Sequence, residues 1–269
     1  MFYFCYRKTF WLTLIPLLAV MGKVHGQVFP AASAAGQWPA GIWGVATIRA
    51  EQPIVQPADV LKLKSGINGT GFFISPQLFI TAHHLLNTNM VPGPNVELKL
   101  MFVHPTYNQL VASAEVIPFP DKDITIVRFD KPIEGMVFVP LAIGDPKVGD
   151  AIHTGGFLGG ISAAVSQGPD NQIILDNIKP EQVQIYSGKV LEVAKKTILA
   201  MDVNVRDVTY VSTDFDAIIG LSGAPLLNER GEAVGIMSAK QPSPNDPAKT
   251  VVTAISVSEL KSLLTQSGN

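Results

Sequence analysis

Apolar residues recur along the chain in short runs and not at helical spacing. The runs Gly44 to Arg49, Phe72 to Thr81, Val96 to Val103, Ile124 to Phe129, Val183 to Val193, Ala233 to Met237 and Val251 to Ile255 are the main ones. They are rich in β-branched and aromatic residues and are punctuated by Gly, Pro, Asn and Asp, the pattern of strands joined by tight turns. No long segment of helical period separates them, which argues against parallel sheets built on crossover helices. One helix is predicted, at the C-terminus, where Ser258 caps a turn containing Leu260, Leu263 and Leu264. The fold class read from this pattern is all-β.

The N-terminus follows a different rule. Arg7 and Lys8 precede an apolar run of twelve residues, Phe10 to Met21, too short to span a bilayer comfortably. Val24 and Gly26 then offer small residues for cleavage ahead of Gln27. Residues 1–26 therefore read as a signal peptide, with an uncleaved anchor as the alternative. The expected location is secreted or periplasmic, without stable membrane association once the leader is removed. Residues 27–40 are small and weakly patterned and read as an N-terminal arm.

Composition refines this picture. The 269 residues suit one or two domains, and 16% charged residues with 23 Gly and 20 Pro fit a turn-rich β protein. Cys5, the single cysteine, lies in the leader, so the mature chain must be stabilised by packing and not by disulfides. Loss of Arg7, Lys8 and Lys23 with the leader leaves 17 basic against 22 acidic residues, a balance that gives no sign of a nucleic-acid surface. The five histidines have no metal-ligand spacing, and neighbours such as His83 and His84 point to opposite faces of a strand. No metal and no cofactor are expected.

The chemistry is concentrated in Gly220-Leu221-Ser222-Gly223-Ala224-Pro225. A serine in a glycine turn presents a nucleophile, and the glycine two residues earlier keeps the adjacent space clear. The N–H groups of Gly220 and Ser222 can then converge on one oxyanion. Upstream, Thr81-Ala82-His83-His84 follows an apolar strand and Asp123-Ile124-Thr125-Ile126 opens another. Alone, His84 reads as a satisfied core histidine, Asp123 as a turn residue and Ser222 as a turn serine. In order they form a base, its orienter and a nucleophile.

These motifs resemble those of the trypsin-like (chymotrypsin-fold) serine peptidases, especially the disulfide-free bacterial branch that includes HtrA-type enzymes. Gly69-Thr70-Gly71-Phe72-Phe73-Ile74 is similar to the family's Gly-x-Gly-Phe-x-Ile strand, Thr81 to His84 to Thr-Ala-x-His, and Asp123 to Ile126 to Asp-Ile-Ala-Leu. Leu141 to Asp150 resembles the link between barrels, and Thr213-Asp214 with Gly220 to Gly235 the nucleophile loop and its hairpin. The resemblance implies two six-stranded antiparallel β-barrels with the active site in the cleft between them and a short C-terminal helix. Residues 41–145 would form the first barrel, with His84 and Asp123, and 146–269 the second, with Ser222 and the helix. Asn68-Gly69-Thr70 reads as a hairpin turn ahead of the His84 strand.

The implied function is a serine endopeptidase that cleaves polypeptides through an acyl-enzyme. His84, Asp123 and Ser222 would be catalytic, and Gly220 and Ser222 would form the oxyanion hole. Ser238 would support Asp123, and the backbone of Ser238, Ala239 and Lys240 would pair with substrate. In the family the residue six before the nucleophile often sets the floor of the primary specificity pocket, which the resemblance places at Asp216; an outward-facing, solvated carboxylate is the alternative. A carboxylate on that floor would favour Arg or Lys, whereas gap-free alignment to HtrA-type sequences implies small aliphatic side chains, and Lys240, on the strand expected to line the pocket, is a candidate to neutralise it. Leu221 stands where the family usually has Asp or Asn, and Ala224 where it usually has Gly. Leucine cannot pair with a freshly cut N-terminus, so the loop is expected to be ordered by packing without zymogen cleavage. A trypsin-fold binding protein without competent chemistry is the alternative. The chain ends soon after the predicted helix, leaving no room for an appended PDZ domain.

Overall fold

The computed structural model describes residues 41–50, 64–87, 97–104, 108–110, 114–133, 136–157, 164–167, 173–176, 183–200, 203–215 and 220–266. The segments read as signal peptide and N-terminal arm, and Asp216, lie outside the described residues.

Strands dominate, in the order β1 (Ile42–Ala50), β2 (Lys64–Ser75), β3 (Leu78–Ala82), β4 (Glu97–His104), β5 (Asn108–Leu110), β6 (Ala114–Phe119) and β7 (Ile124–Phe129). They continue with β8 (Ala151–Phe157), β9 (Ala164–Gln167), β10 (Ile173–Asp176), β11 (Val183–Ala200), β12 (Val203–Thr213), β13 (Pro225–Asn228), β14 (Ala233–Pro242) and β15 (Thr250–Ser256). A one-turn helix, His84–Asn87, follows β3, and the C-terminal helix spans Val257–Gln266. The all-β expectation stands. β8 and β11 to β15 close a six-stranded barrel, in the order β11-β12-β15-β14-β13-β8. Among the described residues the sheet of the first half has seven strands, in the order β5-β4-β1-β2-β3-β7-β6, because the short β5 folds back on β4.

Three local readings change. The run Phe72 to Thr81 is two strands, because the chain turns at Pro76 and Gln77 while the Ser75 hydroxyl accepts the Leu78 N–H at 3.1 Å. Asn68-Gly69-Thr70 is not a hairpin turn. It lies inside β2, where the register against β1 jumps from Val45–Gly69 to Ala46–Ile67 and leaves Asn68 as a bulge. The helix also starts one residue before Ser258, and Asp145 serves its first turn. The Asp145 carboxylate accepts the Ser258 N–H at 3.2 Å and the Ser258 hydroxyl at 2.9 Å.

The strand period of two divides the apolar residues between faces. In β7, Val127 and Phe129 face an aromatic cluster with Trp43, Phe73, Phe79 and Phe102, where Phe73 and Phe79 meet edge to face at 5.0 Å. Ile124 and Ile126 face the other way, into a core shared with Val205, Val208, Tyr210, Ile236 and Ile255 of the six-stranded barrel. A third cluster, including Ile152, Val211, Leu226, Val234 and Met237, belongs to that barrel alone. The two halves therefore meet through a common hydrophobic core. The connecting chain crosses it by backbone pairing: Val139 N–H donates to Phe73 O at 2.7 Å and Ala142 N–H to Ala233 O at 3.0 Å.

Candidate active site

Asp123 follows the 3-10 turn Pro120–Lys122 and takes the left-handed conformation at φ 51°. Asp tolerates that region better than most residues. The twist turns its carboxylate inward, fully buried, toward the start of the His84 helical turn. The ring Nδ1 of His84 lies 2.9 Å from Asp123 Oδ2 and 3.1 Å from Oδ1. The His84 backbone N–H donates to Oδ1 at 2.8 Å, and His83 N–H donates to the Asp123 carbonyl at 3.0 Å. Carboxylate and imidazole are thus locked at the backbone as well as the side chain. Ser238, on β14, donates its hydroxyl to Asp123 Oδ2 at 2.5 Å across the interface. An acceptor held on one side by serine and on the other by Nδ1 favours the tautomer that leaves Nε2 able to take a proton.

The loop carrying Ser222 arrives from the other half. Gly220 and Gly223 adopt φ 113° and 82°, conformations that side chains resist. The carbonyl of Ser222 accepts the Thr70 N–H at 2.9 Å, and Gly223 N–H donates to Met237 O at 2.7 Å. A Cβ built on Gly69 would meet both Leu85, next to His84, at 2.5 Å and Ser222 O at 2.9 Å, so the serine backbone approaches the His84 segment closely. Ser222 itself is half-buried. Among the described residues no hydrogen bond joins Ser222 Oγ to the His84 ring, a bond that commonly tightens only when substrate binds.

Leu221 is 3% exposed and Ala224 wholly buried. Leu221 lies beside Gly156, where its side chain packs into the interior. Ser238, Ala239 and Lys240 follow one another on β14. β13 pairs with β14 only as far as Ile236, while Ala239 and Lys240 pair with Thr253 and Val252 of β15 on the opposite edge. Two further residues at this site had no assigned role in the sequence: His83, whose Nδ1 lies 3.2 Å from Thr125 Oγ1, and Thr70, whose hydroxyl and backbone N–H bond the loop at Gly220 O and Ser222 O. A hydroxyl set between Gly69 and Gly71 was the available signal for Thr70. Among the described residues no group of His, Cys, Asp or Glu could hold a metal ion, and no helix is long and apolar enough to cross a membrane.

A trypsin-like peptidase domain is matched over residues 69–236. Among curated protein sequences none matches the chain. The fold is similar to that of the apo MamO protease domain of Magnetospirillum magneticum, with a TM-score of 0.51 at 16% identity over 84% of this chain and 96% of that one. It is also similar to the HtrA-type protease AlgW with a tripeptide, with a TM-score of 0.52 at 14% identity. That alignment covers 83% of this chain and 59% of AlgW.

Proposed function

This chain belongs to the trypsin-like peptidase family, and from that membership we propose that it is a serine endopeptidase working through an acyl-enzyme. The observation that carries the reading is the buried line Ser238–Asp123–His84, drawn from both halves and set beside the glycine loop of Ser222. Family membership supports a peptidase acting on polypeptides.

Ser222 Oγ attacks the scissile carbonyl while His84 Nε2 accepts its proton. A serine hydroxyl is too weakly acidic to react otherwise. Asp123 keeps Nδ1 protonated and stabilises the imidazolium that forms, and Ser238 holds the carboxylate in place. The N–H groups of Gly220 and Ser222 stabilise the oxyanion of the tetrahedral intermediate. His84 then returns the proton to the leaving amine, and water attacks the acyl-serine by the same route in reverse. The substrate backbone runs along Ser238 to Lys240 as an added strand. With Leu221 buried in the fold, the loop needs no ion pair, so activity follows leader removal without a second cut. The leader directs the enzyme to a secreted or periplasmic location.

Labelling with a fluorophosphonate and cleavage of a peptide library test the reading together. Wild type should label at Ser222 and cleave. Ser222→Ala and His84→Ala should each lose on the order of 10⁶-fold in kcat, with the double variant scarcely worse, because members of one unit are not additive. Full cleavage by Ser222→Ala would refute the assignment. A folded wild type that neither labels nor cleaves would favour a binding protein.

A further inference from the structure

Thr70 stands on β2 and is fully buried. Each of its polar groups is engaged. Its N–H donates to Ser222 O at 2.9 Å, and its carbonyl accepts the Thr81 hydroxyl at 2.7 Å. Its own hydroxyl donates to Gly220 O at 2.9 Å and accepts the Phe157 N–H at 3.0 Å. One side chain thus joins β2, the second barrel's β8 and the serine loop.

The consequence lies in the peptide planes. Gly220 O is held by the Thr70 hydroxyl, Leu221 O by the Ala224 N–H at 2.9 Å, and Ser222 O by the Thr70 N–H. Three successive carbonyls are therefore anchored. In a trans peptide the N–H points opposite the carbonyl, so anchoring Leu221 O aims the Ser222 N–H, and the two flanking anchors stop that plane from turning. Donors that stabilise a developing oxyanion act best when aimed beforehand. The Leu221 side chain, packed beside Gly156, is apolar and adds no hydrogen bond to these anchors.

We infer that Thr70 is a positioning residue whose hydroxyl holds the Gly220–Ser222 backbone in the geometry that receives the oxyanion. This rests on the peptidase reading of Ser222. Loss of the hydroxyl removes the donor that holds the buried Gly220 O, and the loop gains freedom to rotate toward other donors. The effect falls on the chemical step more than on substrate binding, because substrate pairs with β14 and not with Thr70.

Thr70→Val keeps the side-chain shape and removes the hydroxyl; Thr70→Ser keeps the hydroxyl. On a peptide that wild type cleaves, Thr70→Val should lower kcat about 100-fold, the scale of a small misplacement of catalytic groups, with KM little changed. Thr70→Ser should restore most of kcat. Gly156→Ala attacks the same contact from β8, since its methyl would lie 2.6 Å from the Thr70 hydroxyl and 3.0 Å from Leu221, and it should also lower kcat. It carries the test where Thr70→Val fails to fold. Wild-type kcat in a folded Thr70→Val, or in a folded Gly156→Ala where that protein is lost, overturns the inference alone. A wild type that cleaves nothing and leaves Ser222 unlabelled overturns the peptidase reading, and this one with it.

Discussion

His83 and His84 are neighbours in sequence and opposites in chemistry. His84 holds Asp123 through Nδ1, whereas His83 turns to the buried Thr125 hydroxyl. Burial pushes the His83 pKa below its usual value near 6.5; Asp123 pulls it up and His84 pushes it further down. As pH falls through about 6.5, the unfolded chain takes up a proton that the folded one refuses, so it binds more protons and stability declines with falling pH. His83→Gln keeps a polar partner for Thr125 and removes that titration. Its melting temperature should therefore fall less than that of wild type between about pH 6.5 and the depressed pKa. Identical slopes would show that His83 does not titrate on unfolding. The candidate triad was legible because each member sits in a short motif of residue types that few other roles require together. His83 was not, because its partner is 42 residues away, and nothing local links an imidazole to that threonine.

Among the elements, the C-terminal helix shows how a link can hold an end. Asp145, in the segment between the halves, supplies the carboxylate that the first turn needs, and Lys261 reaches back to donate to Ile143 O at 2.8 Å. Asp145→Ala should cost about 1 kcal/mol, as loss of a helix N-terminal cap does. At this size that is a drop of roughly 2–4 °C in melting temperature, and calorimetry on the mature chain would read it. An unchanged melting temperature would mean that water serves the helix end equally well. Strands with compact apolar runs, such as β7 and β14, were visible in the sequence. β12 was not. Asp207, at φ 54°, puts an irregularity in its register against β11 between Lys196 and Ile198. Buried Val205 and Val208 are then separated by two exposed residues, and strict alternation fails. β8, with paired glycines and a histidine, lacks the apolar density that marks a strand, and its place comes from pairing with β11 and β13.

At the scale of the molecule, the core joining Ile42, Phe72, Ile80, Ile124 and Ile126 to Val205, Val208, Tyr210 and Ile255 makes the halves interdependent. Ile80→Ala, at a fully buried position, should cost roughly 2–5 kcal/mol. It should speed hydrogen exchange in β12 and β15 as much as in β3, since both sides of one core open together. Loss of protection confined to the first half would show two separable units. The same architecture sets a timetable. Thr70 and the carbonyl it holds lie 150 residues apart along the chain. At synthesis rates of about 5–20 residues per second, the clamp leaves the ribosome roughly 8 to 30 s before the loop it restrains. On the proposed peptidase reading, a nascent chain carries His84 and Asp123 with nothing to activate until β13 and β14 close the second barrel, so a product truncated ahead of those strands should be born inert.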